Sequence, residues 1–254
     1  MARRVTRRGA GLLVRALLGA VGVMAATGLT ASSARTAAGD SPVGEWHLDT
    51  TQLKSGTQIV ETPDSSGNGL YATVSGTTVT GRFGGAVTFS PANANGALVA
   101  QPGAVLAPQN VTLLAWVKRS GSPGDYKYIL AKGARQCSAS SYALESGPSG
   151  GLVFYIDDGT QVHTSPDAGQ SVWDGKWHMV AGSFDGSAVR LYVDGVEVGS
   201  GTAAKTSIGY TAAGTSSDFT FGYYPAATCG ISLQWDGSLD EVRVYSRALT
   251  RAGR

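Results

Sequence analysis

The 254-residue sequence is poor in the residues that build metal and nucleophile sites: two cysteines, three histidines and five glutamates. His47, His163 and His178 share no ligand spacing with one another or with the cysteines, and no H-E-x-x-H run occurs. A zinc centre is therefore not expected. Phosphate-cradling glycine motifs are absent as well. Charged residues make up only 15% of the chain, and no acidic residue precedes Asp40. The formal charge of +2 hides an asymmetry, because Arg3, Arg4, Arg7, Arg8 and Arg15 all fall at the start. Without residues 1–34, 15 basic groups face 18 acidic ones, a net charge of −3. A body of that sign is not built to grip nucleic acid, so no nucleic-acid partner is expected.

What is present at the N-terminus reads as an export signal. Arginines precede an apolar run from Ala16 to Ala26, and small residues then offer cleavage after Ala34 or Ala38. The run is short and interrupted by glycine, which argues against a membrane anchor, and nothing later in the chain approaches a spanning length. Residues 1–38 are thus expected to be the signal and cleavage region, and residues 39–254 a secreted, extracellular domain. Both cysteines lie in the exported part. In an oxidising compartment they most economically form one disulfide, Cys137–Cys229, closing a loop of 92 residues. On the chain-entropy model such a closure is worth about 4–5 kcal/mol.

With 42% apolar residues the body can bury a core, and 36 glycines favour a turn-rich β protein. From Ser41 onward no window keeps a helical period. Short runs rich in β-branched and aromatic residues alternate with turns, as in residues 111–117, 152–156, 177–184 and 188–193. In the last of these Val189, Leu191 and Val193 share one face, and Arg190 and Tyr192 the other. Five Asp-Gly pairs, at 158, 174, 185, 194 and 236, supply the positive backbone angles of tight hairpins. Many short antiparallel strands without helices imply an all-β, two-sheet antiparallel β-sandwich or jelly roll in one domain.

The ordered pieces resemble the LamG-like jelly roll of the concanavalin A-like lectin and glucanase superfamily. They are Gly44-Glu45-Trp46-His47-Leu48-Asp49, Asp64-Ser65-Ser66-Gly67-Asn68-Gly69, Gly81 to Phe89, Leu113 to Val117, Trp177 to Ala181, Leu191 to Gly195 and Gly237 to Tyr245. The resemblance covers nearly all of the mature chain, and exported bacterial members carry a cysteine pair where Cys137 and Cys229 stand. It implies a concanavalin A-like sandwich, often a structural calcium ion (Ca2+), and a role as an accessory module that binds carbohydrate or another surface ligand. Fold alone does not decide among these roles. The family often begins a short helix where this chain stops, at Arg251-Ala252-Gly253-Arg254, so a longer protein with a further domain is also expected.

For calcium, the loop Asp64 to Asn68 offers carboxylate and amide oxygens, and Asp240 on the closing strand is the natural distant partner. The alternative is an Asx-type turn. Glu241 alternates away from Asp240 and is the poorer ligand. For sugar, aromatic faces beside polar groups are needed. Trp46, Trp116, Trp177 and Trp235 lie in segments that read as core strands and are assigned to packing, with Trp173 left open. The carbohydrate contacts are instead Tyr126 and Tyr128, Tyr155 and Asp157, and Tyr223 with its neighbour Tyr224. Tyr155 and Asp157 share one face of their strand, which serves either a sugar or solvent.

No catalytic residues are expected. Gly147-Pro148-Ser149-Gly150-Gly151 matches G-x-S-x-G but sits between two β-like runs, where a nucleophile elbow needs a strand and then a helix. The glucanase run Glu-x-Asp-x-x-Glu is absent, and the five glutamates are scattered. The expectation is a secreted, non-catalytic binding module, most simply for carbohydrate or a cell-surface glycan. The alternatives are an extracellular adhesion or structural module that binds protein, or an accessory domain of a truncated glycoside-active enzyme.

Overall fold

Two antiparallel sheets face each other in the computed structural model, which describes residues 41–49, 61–93, 96–99, 102–133, 140–210, 218–224 and 233–249. All of them lie in one unit, Thr36–Arg254. The leader at residues 1–38 and both cysteines, Cys137 and Cys229, lie outside the described residues, so the disulfide and signal expectations concern segments beyond them. Among the described residues, no helix is long and apolar enough to cross a membrane.

The first sheet runs in the order β14 (Val196–Glu197), β13 (Ala188–Val193), β12 (Asp174–Phe184), β7 (Val111–Ser120), β17 (Gly237–Tyr245), β5 (Gly85–Phe89) and β4 (Thr77–Thr80). β1 (Gly44–Trp46) also pairs with β17, and β15 (Thr202–Ala203) with β13. The opening and closing strands are therefore neighbours. The second sheet runs β11 (Val162–Thr164), β10 (Leu152–Asp157), β9 (Tyr142–Ser146), β8 (Tyr128–Lys132), β16 (Phe219–Phe221), β6 (Gly96–Val99), β3 (Ala72–Ser75) and β2 (Glu61–Thr62). Three short 3₁₀ turns, Pro91–Asn93, Gly103–Leu106 and Gln170–Val172, are the helical elements described.

Alternation builds the core. On β10, Leu152, Phe154 and Ile156 point between the sheets, and on β12 and β13 Val180, Phe184, Val189 and Leu191 meet them. Gly182 marks where the sheets come closest: a Cβ there would lie 2.1 Å from the Phe154 ring. Trp46 closes the other end, its ring 5.7 Å from Phe219 and 4.9 Å from Phe221, and its indole N–H donates to the Leu70 carbonyl at 2.6 Å. Trp235 and Trp173 pack 5.2 Å apart and are buried, so packing is the role of Trp46 and Trp235, as expected, and of Trp173 too.

Three of the five Asp-Gly pairs turn hairpins as expected, at 158, 185 and 194, whereas Asp174-Gly175 opens β12 at a bulge and Gly237 begins β17 without a positive φ. Between β13 and β14, Asp194 and Gly195 both take positive φ, 50° and 78°, the pair that a tight two-residue turn demands. The Gly147–Gly151 segment folds back on itself, the Gly147 N–H donating to the Gly151 carbonyl at 2.9 Å, and joins β9 to β10. Ser149 thus sits in a hairpin turn and not on a nucleophile elbow.

Two further expectations are corrected. Trp116 and Trp177 are not core residues. On β7, Ala115 and Val117 face inward, so Trp116 faces out with Lys118; Trp177 pairs with Lys118 and shares that outer face, half-buried. The strict alternation of β17 also fails: the register slips between Asp240 and Arg243, and Glu241 takes φ 52°. The bulge turns Glu241 toward β1, where it meets His47.

Candidate functional site

The outward face of the second sheet gathers residues that sequence reasoning proposed singly. On β10 the inward residues are Phe154 and Ile156, so Tyr155 and Asp157 face outward together, as their alternation required. Pairing sets Tyr155 beside Ala143 of β9, Ala143 beside Ala131 of β8, and Tyr128 beside Glu145. The small side chains of Ala143 and Ala131 let the tyrosine rings lie across the strands. A satellite apolar cluster results, formed by Tyr128, Ala131, Ala143, Tyr155 and Tyr224.

A chain of hydrogen bonds runs through this cluster. The Ser140 N–H donates to the Tyr155 hydroxyl at 2.8 Å, the Tyr155 and Tyr128 hydroxyls lie 3.0 Å apart, and Tyr128 bonds the Glu145 carboxyl. The Tyr224 ring packs 4.5 Å from that of Tyr128. Burial pushes the Glu145 carboxyl up to about 8, against the opposing effect of the Tyr128 bond, so at neutral pH it is largely protonated. Burial likewise raises both tyrosines far above the usual phenol range. At one end of this chain, Glu145 Oε2 is buried without a hydrogen-bond partner among the described residues. Buried polar atoms seldom go unpaired, since each costs about 1–3 kcal/mol.

The remaining sugar candidates surround this cluster unevenly. Tyr126, at φ 53°, is the exposed ring of the set, and its N–H donates to the Ser146 carbonyl at the end of β9. Tyr223 is half-buried, with its side chain against Gly96 of β6, where a Cβ would lie 2.2 Å away. Asp157 is buried, and its Oδ1 accepts the Gly159 N–H at 2.7 Å, so this carboxylate is engaged in its own turn. A cavity of about 290 Å³ opens elsewhere, at the β14 edge of the first sheet, lined by Val172, His178, Val193 and Val196 among others, and by none of these residues. Glu145 and Ser140 were not singled out for this site. The signal for Glu145 was available: in Tyr142-Ala143-Leu144-Glu145-Ser146 it alternates with Leu144, and a hairpin across Ser149 returns Tyr155 to its side.

The calcium candidates hold two different loops. Asp64 Oδ1 accepts the N–H groups of Glu45 and Ser66 at 3.0 and 2.9 Å, and Oδ2 accepts the Leu70 N–H and the Ser66 hydroxyl at 3.0 and 2.8 Å. Burial would raise this carboxyl, but the bonds outweigh it and hold it below the usual range. Asn68 donates from Nδ2 to the Val43 carbonyl at 3.0 Å. Both residues thus make the turn that docks this loop on β1. Asp240 instead accepts the Arg82 and Phe83 N–H groups on Oδ2, at 2.7 and 2.9 Å. Its Oδ1 is buried and unpartnered among the described residues, and burial pushes it up to about 6 despite those two bonds. Beside it, Glu45, His47 and Glu241 converge closely enough to share an ion. Arg243 already binds both glutamates, Glu45 at 2.7 Å, and His47 lies 2.9 Å from Glu241, so the group reads as an ion-pair network.

Comparison with known proteins follows the fold. The sequence model of a laminin-G family, described as the concanavalin A-like lectin/glucanases superfamily, matches residues 90–253. No curated protein matches. Among solved structures, domain 4 of AbnA, a GH43 extracellular arabinanase from Geobacillus stearothermophilus in complex with arabinotriose, superposes with a TM-score of 0.59 at 19% identity, over 84% of this chain and 96% of that one. The binding domain of botulinum neurotoxin DC in complex with rat synaptotagmin II gives 0.59 at 12% identity, over 84% of this chain and 50% of that one. A Trypanosoma rangeli sialidase in complex with the inhibitor DANA gives 0.52 at 16% identity, over 83% of this chain and 31% of that one. At these identities the likeness is one of fold.

Proposed function

The chain belongs to the concanavalin A-like lectin/glucanases superfamily, and we propose that within it the protein is a non-catalytic carbohydrate-binding module that uses the outward face of its second sheet. The observation that carries this reading is the hydrogen-bonded chain from Tyr155 through Tyr128 to Glu145, with Tyr128 two residues along the sequence from the exposed Tyr126 ring. The Ser140 N–H occupies Tyr155 as an acceptor, so Tyr155 donates to Tyr128 and Tyr128 to Glu145. This buried chain backs the face, and the exposed Tyr126 ring, whose N–H is held by the Ser146 carbonyl at the end of β9, supplies the stacking surface for a sugar. The arabinanase domain of like fold, which is seen with arabinotriose, supports the choice of ligand class.

Glycoside hydrolysis needs two carboxyl groups facing one another across the bond. On this face Asp157 is engaged in its turn, which supports binding without cleavage. Export through residues 1–38 belongs to the same proposal. Structural calcium enters it through Asp240, whose Oδ1 is available to ligate, whereas the Asp64 oxygens are taken. The rival reading, a protein-binding module, draws on the toxin domain seen with synaptotagmin.

A glycan array probed with wild type, Tyr155→Phe and Glu145→Gln tests the proposal. The expected result is selective binding to a glycan set, weakened at least fivefold in both variants while thermal unfolding stays cooperative. Silence of the folded wild type across the array, or binding unaltered in both variants, overturns it.

A further inference from the structure

We infer that the outer face of the first sheet is a second binding surface, built for a sugar ring that carries an anionic substituent. Trp116 and Lys118 lie two residues apart on β7, and Trp177 of β12 is paired with Lys118, so the two indoles are diagonal neighbours on one face. Both are half-buried, and Phe83, 52% exposed, stands edge-on to Trp116 at 5.8 Å. The Arg82 guanidinium lies 4.9 Å from the Trp116 ring and 5.1 Å from that of Phe83, and the Lys118 ammonium 5.9 Å from Trp177.

Charge decides the class of ligand. The ion-paired carboxylates of this sheet have other partners. Glu45 and Glu241 are bound by Arg243, Asp174 by Lys176, Asp185 and Glu197 by Arg190, and Asp236 by Arg119, while the His178 ring bonds Asp174 and Asp194. Asp240, which shares register with Trp116, is fully buried. Arg82 and Lys118 make no ion pair among the described residues. Two cations outside any ion pair among the described residues, each resting on an aromatic face, thus flank the indoles on a body whose total charge is negative. A sugar ring stacked on the indoles would bring its carboxylate or sulfate to these groups, with the guanidinium able to take either anion through two N–H bonds.

The test is affinity electrophoresis of the full-length exported protein through gels containing polygalacturonate, dextran sulfate or neutral dextran. Retardation is expected from at least one anionic polymer and none from dextran, and the stronger of the two separates a carboxylate from a sulfate ligand. Trp177→Ala and the double variant Arg82→Gln with Lys118→Gln should each weaken it at least fivefold. Lys205→Gln, which removes a different exposed cation, and Glu145→Gln, on the opposite face, should leave it unchanged, so failure here is separable from failure of the proposal above. Circular dichroism checks that each variant is folded. The inference is overturned by passage through both anionic gels unretarded, by full retardation of Trp177→Ala, or by equal loss in Lys205→Gln. Retardation by single-stranded DNA as strong as by the polysaccharides would overturn the identification of a sugar.

Discussion

The two outer faces of the sandwich come from the same strand alternation and have opposite characters. On the second sheet, Tyr128, Tyr155 and Glu145 are buried and linked by hydrogen bonds, the Tyr224 ring packs on Tyr128, and the Glu145 carboxyl is largely protonated at neutral pH. On the first, Trp116, Trp177 and Phe83 reach solvent under two cations. Hydroxyl and carboxyl groups kept out of water offer hydrogen bonds made strong by low dielectric, whereas half-exposed indoles offer area and charge. One face is thus closed and hydrogen-bonded, the other open, aromatic and cationic.

The largest expected effect abolishes the comparison altogether. Phe154 fills the gap beside Gly182 between the sheets, so Phe154→Ala should destabilise both faces by about 3–5 kcal/mol in denaturant unfolding. Next comes pH, which should separate the faces. Glu145 ionises near 8 when folded and near the ordinary carboxyl range when unfolded, so the unfolded chain releases its proton first. Its contribution to stability is therefore full at acid pH and is lost as pH rises toward about 8. Unfolding at pH 5, 7 and 9 should show wild type falling on the order of 3 kcal/mol relative to Glu145→Gln, which lacks the slope. A flat difference between the two proteins would place Glu145 in water.

Asp240 gives a smaller version of the same sign, over a window that ends near pH 6. Asp240→Asn keeps an acceptor for the Arg82 and Phe83 N–H groups, so it should raise the unfolding free energy at pH 7.5 in chelator by about 1–2 kcal/mol. Added calcium should stabilise wild type and leave this variant unmoved; equal response of the two would remove calcium from Asp240. The smallest effect should belong to Trp177→Ala. The side chain is half-buried on an outer face, and its loss should cost under about 1 kcal/mol in thermal unfolding.

Much of this architecture was legible residue by residue. Asp194-Gly195 declared its hairpin, Tyr155 and Asp157 their common face, and Gly147 to Gly151 its turn, because each depends on neighbours within a few positions. Trp116 shows where reading for hydrophobicity misled: a tryptophan among Leu113, Ala115 and Val117 resembles core, yet its phase matches Lys118, and phase prevails in a strand. Glu241 shows a second limit: strict alternation set it away from Asp240, but a bulge that no local pattern announced breaks that alternation and brings it to His47.

The sequence by itself determined the all-β class, most hairpins and the face of most strand residues, since turns and the two-residue period are local properties of the chain. It also singled out Tyr126, Tyr128, Tyr155 and Tyr223 by type. Only the tertiary structure decided which of them meet. Tyr128 and Tyr155 are 27 residues apart and are joined through β9, which also brings Glu145 to them, and burial there holds that carboxyl in its neutral form. Asp64 and Asp240, similar on paper, diverged for the same reason. One carboxylate is saturated by the amides and hydroxyl around its loop, and the other is buried with an oxygen to spare, because partners across the sandwich, not residue type, determine what a buried charge can do.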